Sequence, residues 1–266
     1  MSTTSERDNP FAPPKAAVLE AASPEAGRLV AEGQKVAASR AAGWIGEGWR
    51  IFTRSPGMWI VTTIVFLVTW ILLSILPIIS LVSGILGPVF LGGLMLGCDK
   101  VHKGGNLELG DLFAGFQRNA GGLMLVGLLY LVGWFLIMVF VGVGAFVLVG
   151  TTVGLTAESL KDNAAILGPA FLLVGLVAVG LSLPLVMAIW FAPALVVFHD
   201  MQAFAAMRAS FSGCLRNLWP FLLYGILALA IAIIAVLPVG LGLLVWIPML
   251  WGSLYAGYRD IFLLAD

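Results

Sequence analysis

Cys98 and His102 stand four residues apart, a spacing that puts a thiolate and an imidazole on one helical face, and His199 could join them from farther along the chain. Such ligands could hold a divalent metal. Against that reading, Lys100 adds positive charge between them and no fourth ligand is evident, so ordinary membrane-boundary residues account for the group better. His199-Asp200 has the composition of half an acid/base pair, but adjacent residues point apart and no nucleophile motif accompanies them. The sequence therefore names no catalytic residue, no metal ligand and no cofactor, and the chain is expected not to be an enzyme.

The elements that would carry these residues follow from composition. The chain has 266 residues, 61% of them hydrophobic and 11% charged, and its mean hydropathy is +1.05. Those values lie outside the soluble range. Apolar runs long enough to cross a hydrocarbon core of about 30 Å, which takes about 20 helical residues, follow one another from Gly57 onward. They lack the strict alternation of barrel strands, so the fold class is all-α and polytopic. Cys98 and Cys214 both lie at the ends of apolar runs on the side argued below to be cytoplasmic, and no disulfide is expected.

Six spans are expected, at about 57–76, 80–98, within 120–149, within 168–198, 220–237 and 241–258, paired as three hairpins. A short amphipathic segment precedes each hairpin, at about 42–54, 107–118 and 201–217, and is expected to lie in the headgroup layer. In the first of these, Trp44, Ile45, Trp49 and Phe52 share a face. Residues 1–41 hold five Lys/Arg against five Asp/Glu and are rich in Ala, Pro and Ser, which suits a disordered cytoplasmic tail; residues 42–266 form the membrane domain.

Three joints between polar and apolar sequence look alike. Arg54, Arg118 and Arg216 each follow an aromatic by five residues, at Trp49, Phe113 and Phe211, and each precedes a capping residue: Ser55, Asn119 and Asn217. The exits also match, since Asp99, Asp200 and Asp260 each follow an aromatic by nine residues. Three repeat units result, at about 42–100, 107–200 and 201–262. From Arg to Asp they cover 45, 82 and 44 residues, so the middle pair of spans should tilt, project beyond the bilayer or kink near Gly142, Gly144 or Pro184.

A carboxylate at a helix C-terminus is unfavourable by about 0.3 to 1 kcal/mol unless a cation offsets it. Arg54, Arg118 and Arg216 lie at the same depth, so at least two of the three Asp residues are expected to pair with one of them. Gly93 and Gly97, and Gly252 with Ala256, have the small-xxx-small spacing of close helix contact, which suits internal packing better than dimerisation.

The segments "AAGWIGEGWRIFTRSPGMWI", "LGDLFAGF", "WFAPALVVFHDM" and "YAGYRDIF" resemble a family of uncharacterised proteobacterial inner-membrane proteins with six expected spans, over about residues 35–263. More loosely, the plan of amphipathic segment plus hairpin is similar to the membrane domain attached to some glycerophosphodiester phosphodiesterases, whose catalytic barrel has no room in this chain. The resemblance implies a fold and a membrane, and no chemistry.

No Asp, Glu, Lys, Arg, His, Asn or Gln falls within the six spans, which argues against ion-coupled transport and proton relays. Thr62, Thr63, Thr69, Ser74 and Ser182 are the polar groups that remain. A scaffold or accessory module is the leading expectation, and a carrier or flippase for a lipid or other apolar substrate is the alternative. The expected partners are membrane lipids and other membrane proteins, with no nucleic acid; the oligomeric state is not legible.

Thirteen of the fourteen Lys and Arg residues fall on one side of the six spans and only Lys161 on the other, which by the positive-inside rule places both termini in the cytoplasm. A periplasm-active reporter fused after Asp162 should therefore be active and one fused after Asp266 silent; the reverse pattern would overturn the six-span topology.

Overall fold

A computed structural model of the chain describes residues 28–75, 77–152 and 164–264. The N-terminal tail up to residue 27 and the polar stretch 153–163 lie outside the described residues. Among those described there is no β-strand, only an isolated antiparallel bridge between Leu29 and Leu263. Nine α-helices are described: α1 (Arg40–Arg54), α2 (Pro56–Ser74), α3 (Pro77–His102), α4 (Ala120–Thr152), α5 (Ala164–Trp190), α6 (Ala192–His199), α7 (Ala203–Arg216), α8 (Leu218–Val236) and α9 (Leu243–Phe262). A 3-10 segment, Leu109–Phe116, links α3 to α4.

Five stretches among the described residues are long and apolar enough to cross a membrane: Pro56–Ser74, Leu81–His102, Ala120–Thr151, Leu167–His199 and Leu218–Val236. The expected sixth, α9, is not one of them. Its 20 residues include Ser253, Tyr255, Tyr258, Arg259 and Asp260, and most of its surface is buried against neighbours. It packs along α1 and also meets α2, α3 and α8, while α3 carries the 3-10 segment, α4 and α6.

The packed core is not central. Buried residues collect at the end of the bundle where α1 lies: Trp44 and Ile51 on α1, Trp59 on α2, Val89 to Val101 on α3, Leu123 and Val126 on α4, Ala192 to Val197 on α6, and Trp246 to Phe262 on α9. Toward the other end the middle pair is largely uncovered by its neighbours. Phe135, Phe140, Phe146, Phe171 and Leu172 are all at least 60% exposed, as lipid-facing residues should be. At 33 residues α4 extends about 50 Å against about 28 Å for the 19-residue α2. The middle pair is thus longer than its neighbours, as the sequence predicts. It is helical through Gly142, Gly144 and Pro184, and the interruption falls elsewhere.

That interruption is at Phe191, between α5 and α6. In a continuous helix the Phe191 N–H would donate to the Met187 carbonyl four residues back. Instead the Ser210 hydroxyl from α7 stands between them, accepting from Phe191 N at 2.9 Å and donating to Met187 O at 2.7 Å. Pro193, in the first turn of α6, has no N–H to continue the ladder. A side chain inserted into the backbone ladder is a recognised cause of a helix break, and here its source is a distant element.

Ser210 is completely buried. Ser210→Ala would strand the Phe191 N–H and leave Met187 O only the weak Cys214 thiol donor, so unfolding in mild detergent should show a loss of about 1 to 3 kcal/mol. A change near zero would mean that Pro193 alone makes the break.

Candidate functional site

Side chains that could do chemistry gather at the packed end, where α1, α3, α6 and α9 meet. The gathering begins with a close crossing. A Cβ on Gly252 would sit 2.9 Å from the Gly48 Cα, and one on Gly48 would strike the Met249 carbonyl, so α1 and α9 touch backbone to backbone. Gly93 is used the same way, because a Cβ there would lie 2.6 Å from the Asp111 and Leu112 carbonyls of the 3-10 segment. Both small-residue spacings thus serve contacts within the chain.

From this crossing, the last turns of α9 send four polar groups to other helices. Tyr255 donates from its hydroxyl to Asp99 Oδ1 on α3 at 2.8 Å. The Tyr258 hydroxyl meets His199 Nε2 at the end of α6 at 2.6 Å. Arg259 Nη1 lies against the His102 ring on α3, beside Nε2 and 3.4 Å from Nδ1, and its guanidinium lies 5.9 Å from the centre of the Tyr255 ring. Asp260 accepts from Arg40 through both carboxylate oxygens, at 2.7 and 2.8 Å, and from the Trp44 indole at 2.7 Å.

His102 also faces α1, with Nδ1 2.9 Å from Glu47 Oε1, and the same oxygen accepts from Arg50. Burial works to raise the Glu47 pKa, but the hydrogen bonds and charges of Arg50 and then His102 outweigh it and hold the carboxyl below its usual value. Glu47 is therefore a fixed negative charge at neutral pH. Arg54, one turn on, donates to the carbonyls of Val101 and His102 at 2.6 and 2.8 Å, satisfying the open C-terminal end of α3.

The expected ion pairs of Asp99, Asp200 and Asp260 with Arg54, Arg118 and Arg216 are not the ones formed. Asp260 pairs with Arg40, Asp99 with Lys103 at 3.1 Å, and Asp200 accepts from the Asn119 amide at 3.2 Å. Arg54 is spent on backbone carbonyls, Arg216 on Glu32 and the Gly33 carbonyl, and Arg118 has no ion pair among the described residues. Two of the carboxylates do gain a cation, as the helix-dipole argument requires. The cations come from outside the repeated joints, since Lys103 follows the last residue of α3 and Arg40 lies before the first joint.

The capping residues also diverge. Asn119 caps α4, accepting from Gly122 N at 3.1 Å. Ser55 makes no such bond, and neither does Asn217. Buried Asn217 instead accepts from Val36 N and donates to Gln34 O, both at 2.8 Å, and to Gly213 O. Those bonds correct the boundary drawn at residue 41. Residues 28–36 form a strap with a turn at Ala31 and Glu32: Val30 N and Gln34 N donate to the carbonyls of Phe262 and Ile261, and Gln34 Nε2 donates to those of Asp260 and Leu263. Trp44, expected in the headgroup layer, is likewise buried, packed on Phe221 and Tyr224. Trp49 is the α1 aromatic left half exposed.

Of the metal-binding candidates, His102 and His199 each have a protein partner, and Cys98 is a buried free thiol. No group of three potential ligands occurs among the described residues. Cys214, outside the spans, has its thiol pushed up to about 12 by burial, offset in part by the neighbouring Ser210 hydroxyl, and it stays protonated. Sequence reasoning passes over Arg40, Glu47, Tyr255, Tyr258 and Arg259 as site residues. Four of these five stand within the segments that carry the family resemblance.

Fold and site together define a helical, multi-pass membrane protein fastened at one end. The chain is 30% identical over 243 residues to a protein of Burkholderia thailandensis named as a probable inner membrane protein, a match covering 82% of this chain and 89% of that one. It belongs to the same family. No family model matches the chain and no solved structure does, so the looser likeness to the phosphodiesterase membrane domain rests on plan alone.

The strap supplies a test of this geometry. Asn217→Ala should cost about 1 to 3 kcal/mol, because Val36 N and Gln34 O lose their shared partner in a buried site. Hydrogen exchange should show residues 30–36 losing protection while α4 is unchanged, and a uniform loss across the chain would contradict the local role.

Proposed function

We propose that the chain is a non-enzymatic scaffold or accessory module of the inner membrane, with α9 as a sixth span and both termini in the cytoplasm. Its helices then pair as three hairpins, α2 with α3, α4 with α5 and α8 with α9, and α1, the 3-10 segment and α7 lie at the cytoplasmic boundary. The first sixteen residues of α9, Leu243 to Tyr258, carry no charge. At 1.5 Å per residue they supply about 24 Å, enough to cross with a modest mismatch.

The observation that carries the scaffold reading is the use of the polar side chains. Glu47, Asp99, His102, His199, Tyr255, Tyr258, Arg259 and Asp260 all bind one another or neighbouring helices. Within the spans, Thr63 donates to Trp59 O, Ser74 to Trp70 O and Ser182 to Val179 O. The Tyr224 hydroxyl meets that of Ser253 across α8 and α9, and buried Thr62 is left without a hydrogen-bond partner among the described residues. A carrier of the alternative kind needs a Ser- and Thr-lined groove open to the bilayer. The crevice between α4 and α5 is instead lined by apolar residues such as Phe140, Val141, Leu148, Leu173 and Val177.

Purification in mild detergent, with mass spectrometry of the proteins and lipids retained, tests the reading. A second membrane protein held at a fixed ratio is the expected result. A phospholipid held without a protein partner, together with lipid transfer between vesicles by the purified chain, would replace the scaffold with the carrier.

A further inference from the structure

Among the titratable groups of the packed end, His102 is the one held between opposite charges. The Glu47 carboxylate can only accept, so the ring nitrogen that meets it, Nδ1, carries a proton, and in the neutral ring Nε2 carries none. Arg259 Nη1 lies against the same ring, beside Nε2 and 3.4 Å from Nδ1. A neutral imidazole is thus held in one tautomer, with a carboxylate at Nδ1 and a guanidinium against the ring.

We propose that His102 is a proton-operated joint between α3 and α9: neutral, it holds Arg259, and protonated, it releases it. A proton added at Nε2 would make the ring a cation and set two positive charges against each other across this contact. The opposite nitrogen does not oppose the change, because Nδ1–H still faces Glu47 and gains an ion pair there. The proton therefore strengthens the tie from α3 to α1 and breaks the tie from α3 to α9.

The groups around the ring decide which tie yields. On α1, Glu47 is already shared with Arg50, while Arg54 occupies the His102 carbonyl. On α3, Asp99 is engaged by Tyr255 and Lys103, and Lys100 by Glu108 and Asp111. On α9, Tyr255 lies beside the ring at 5.8 Å between centroids, and Arg259 is the contact that turns from attractive to repulsive. His199 on α6 is occupied by Tyr258. Glu47 and Arg50 hold each other on α1, so Arg259 is the partner that leaves.

The sign follows. The α3–α9 tie is present at pH values where the imidazole is neutral and is lost as the pH falls through its titration, so acid loosens the end of α9 that carries Tyr258 and Asp260. This inference does not depend on the scaffold reading, and its test involves no partner.

The chain contains only two histidines, so full-length protein labelled with 15N-histidine in lipid nanodiscs gives two imidazole signals, with His102→Gln identifying one. His102 should appear as the Nδ1–H tautomer near neutral pH, and hydrogen exchange of residues 255–262, corrected for intrinsic rate, should lose about tenfold protection between about pH 7.5 and about pH 5.5. In His102→Gln, which can accept from Arg259 and donate to Glu47 but cannot titrate, that loss should vanish. An Nε2–H tautomer at neutral pH, protection unmoved by acid, or a wild-type pH response in His102→Gln would each overturn the joint. If the variant does not fold, the tautomer and the wild-type exchange profile decide it alone.

Discussion

Hydrocarbon offers no hydrogen-bond partners, and that one constraint accounts for the lopsided build of this molecule. A polar side chain can join two helices only where water or another polar group is within reach, so the joining groups crowd toward one boundary. There the ends of α1, α3, α6 and α9 meet, and four polar side chains in the last two turns of α9 reach three different helices. At the opposite end α4 and α5 hold each other through apolar contact and expose their outer faces. The packing gradient from one end to the other is a gradient in access to polar partners.

Magnitudes suggest what those ties do. Arg40 and Asp260 are about half and one-fifth exposed, and exposed pairs contribute only about 0 to 1 kcal/mol each. Around them Phe191, Phe198, Tyr255, Tyr258 and Phe262 form a run of ring contacts with centroids 5.3 to 6.4 Å apart, and such pairs contribute about 0.5 to 1.5 kcal/mol beyond their burial. The rings and the Gly48–Gly252 crossing therefore supply most of the cohesion. The charged groups select the one rotation of α9 that lets Tyr255, Tyr258, Arg259 and Asp260 all find partners.

Much of this architecture is legible in the sequence, because length and apolarity report directly on spans. Five of the six expected spans coincide with apolar helices of sufficient length, the middle pair is long as its spacing demands, and Asn119 caps α4. Choice of partner is another matter. That Asp260 requires a cation follows from its place at a helix end. That the cation is Arg40 depends on how α1 crosses α9, which two glycines set and no periodicity records. The break at Phe191 is hidden for the same reason, because its cause, Ser210, lies nineteen residues away on another helix. The strap escaped detection because its affinity is for carbonyls of the far end of the chain, whereas composition registers only that residues 28–39 have little apolar surface of their own.

The pairing of α1 with α9 spans the order of synthesis. A ribosome makes α1 and its strap before the other described helices, and α9 after them. Glu47 can meet His102 once α3 is made, but Trp44 and Gly48 must wait for α8 and α9, because the surfaces that receive them do not yet exist. Completion of the fold is a terminal event, in which the earliest and latest helices close on each other. Until that moment Trp44 and Gly48 lack the neighbours that cover them in the finished fold, so the sequence of α1 must suit two successive environments: the one in which it waits, and the protein interior afterwards.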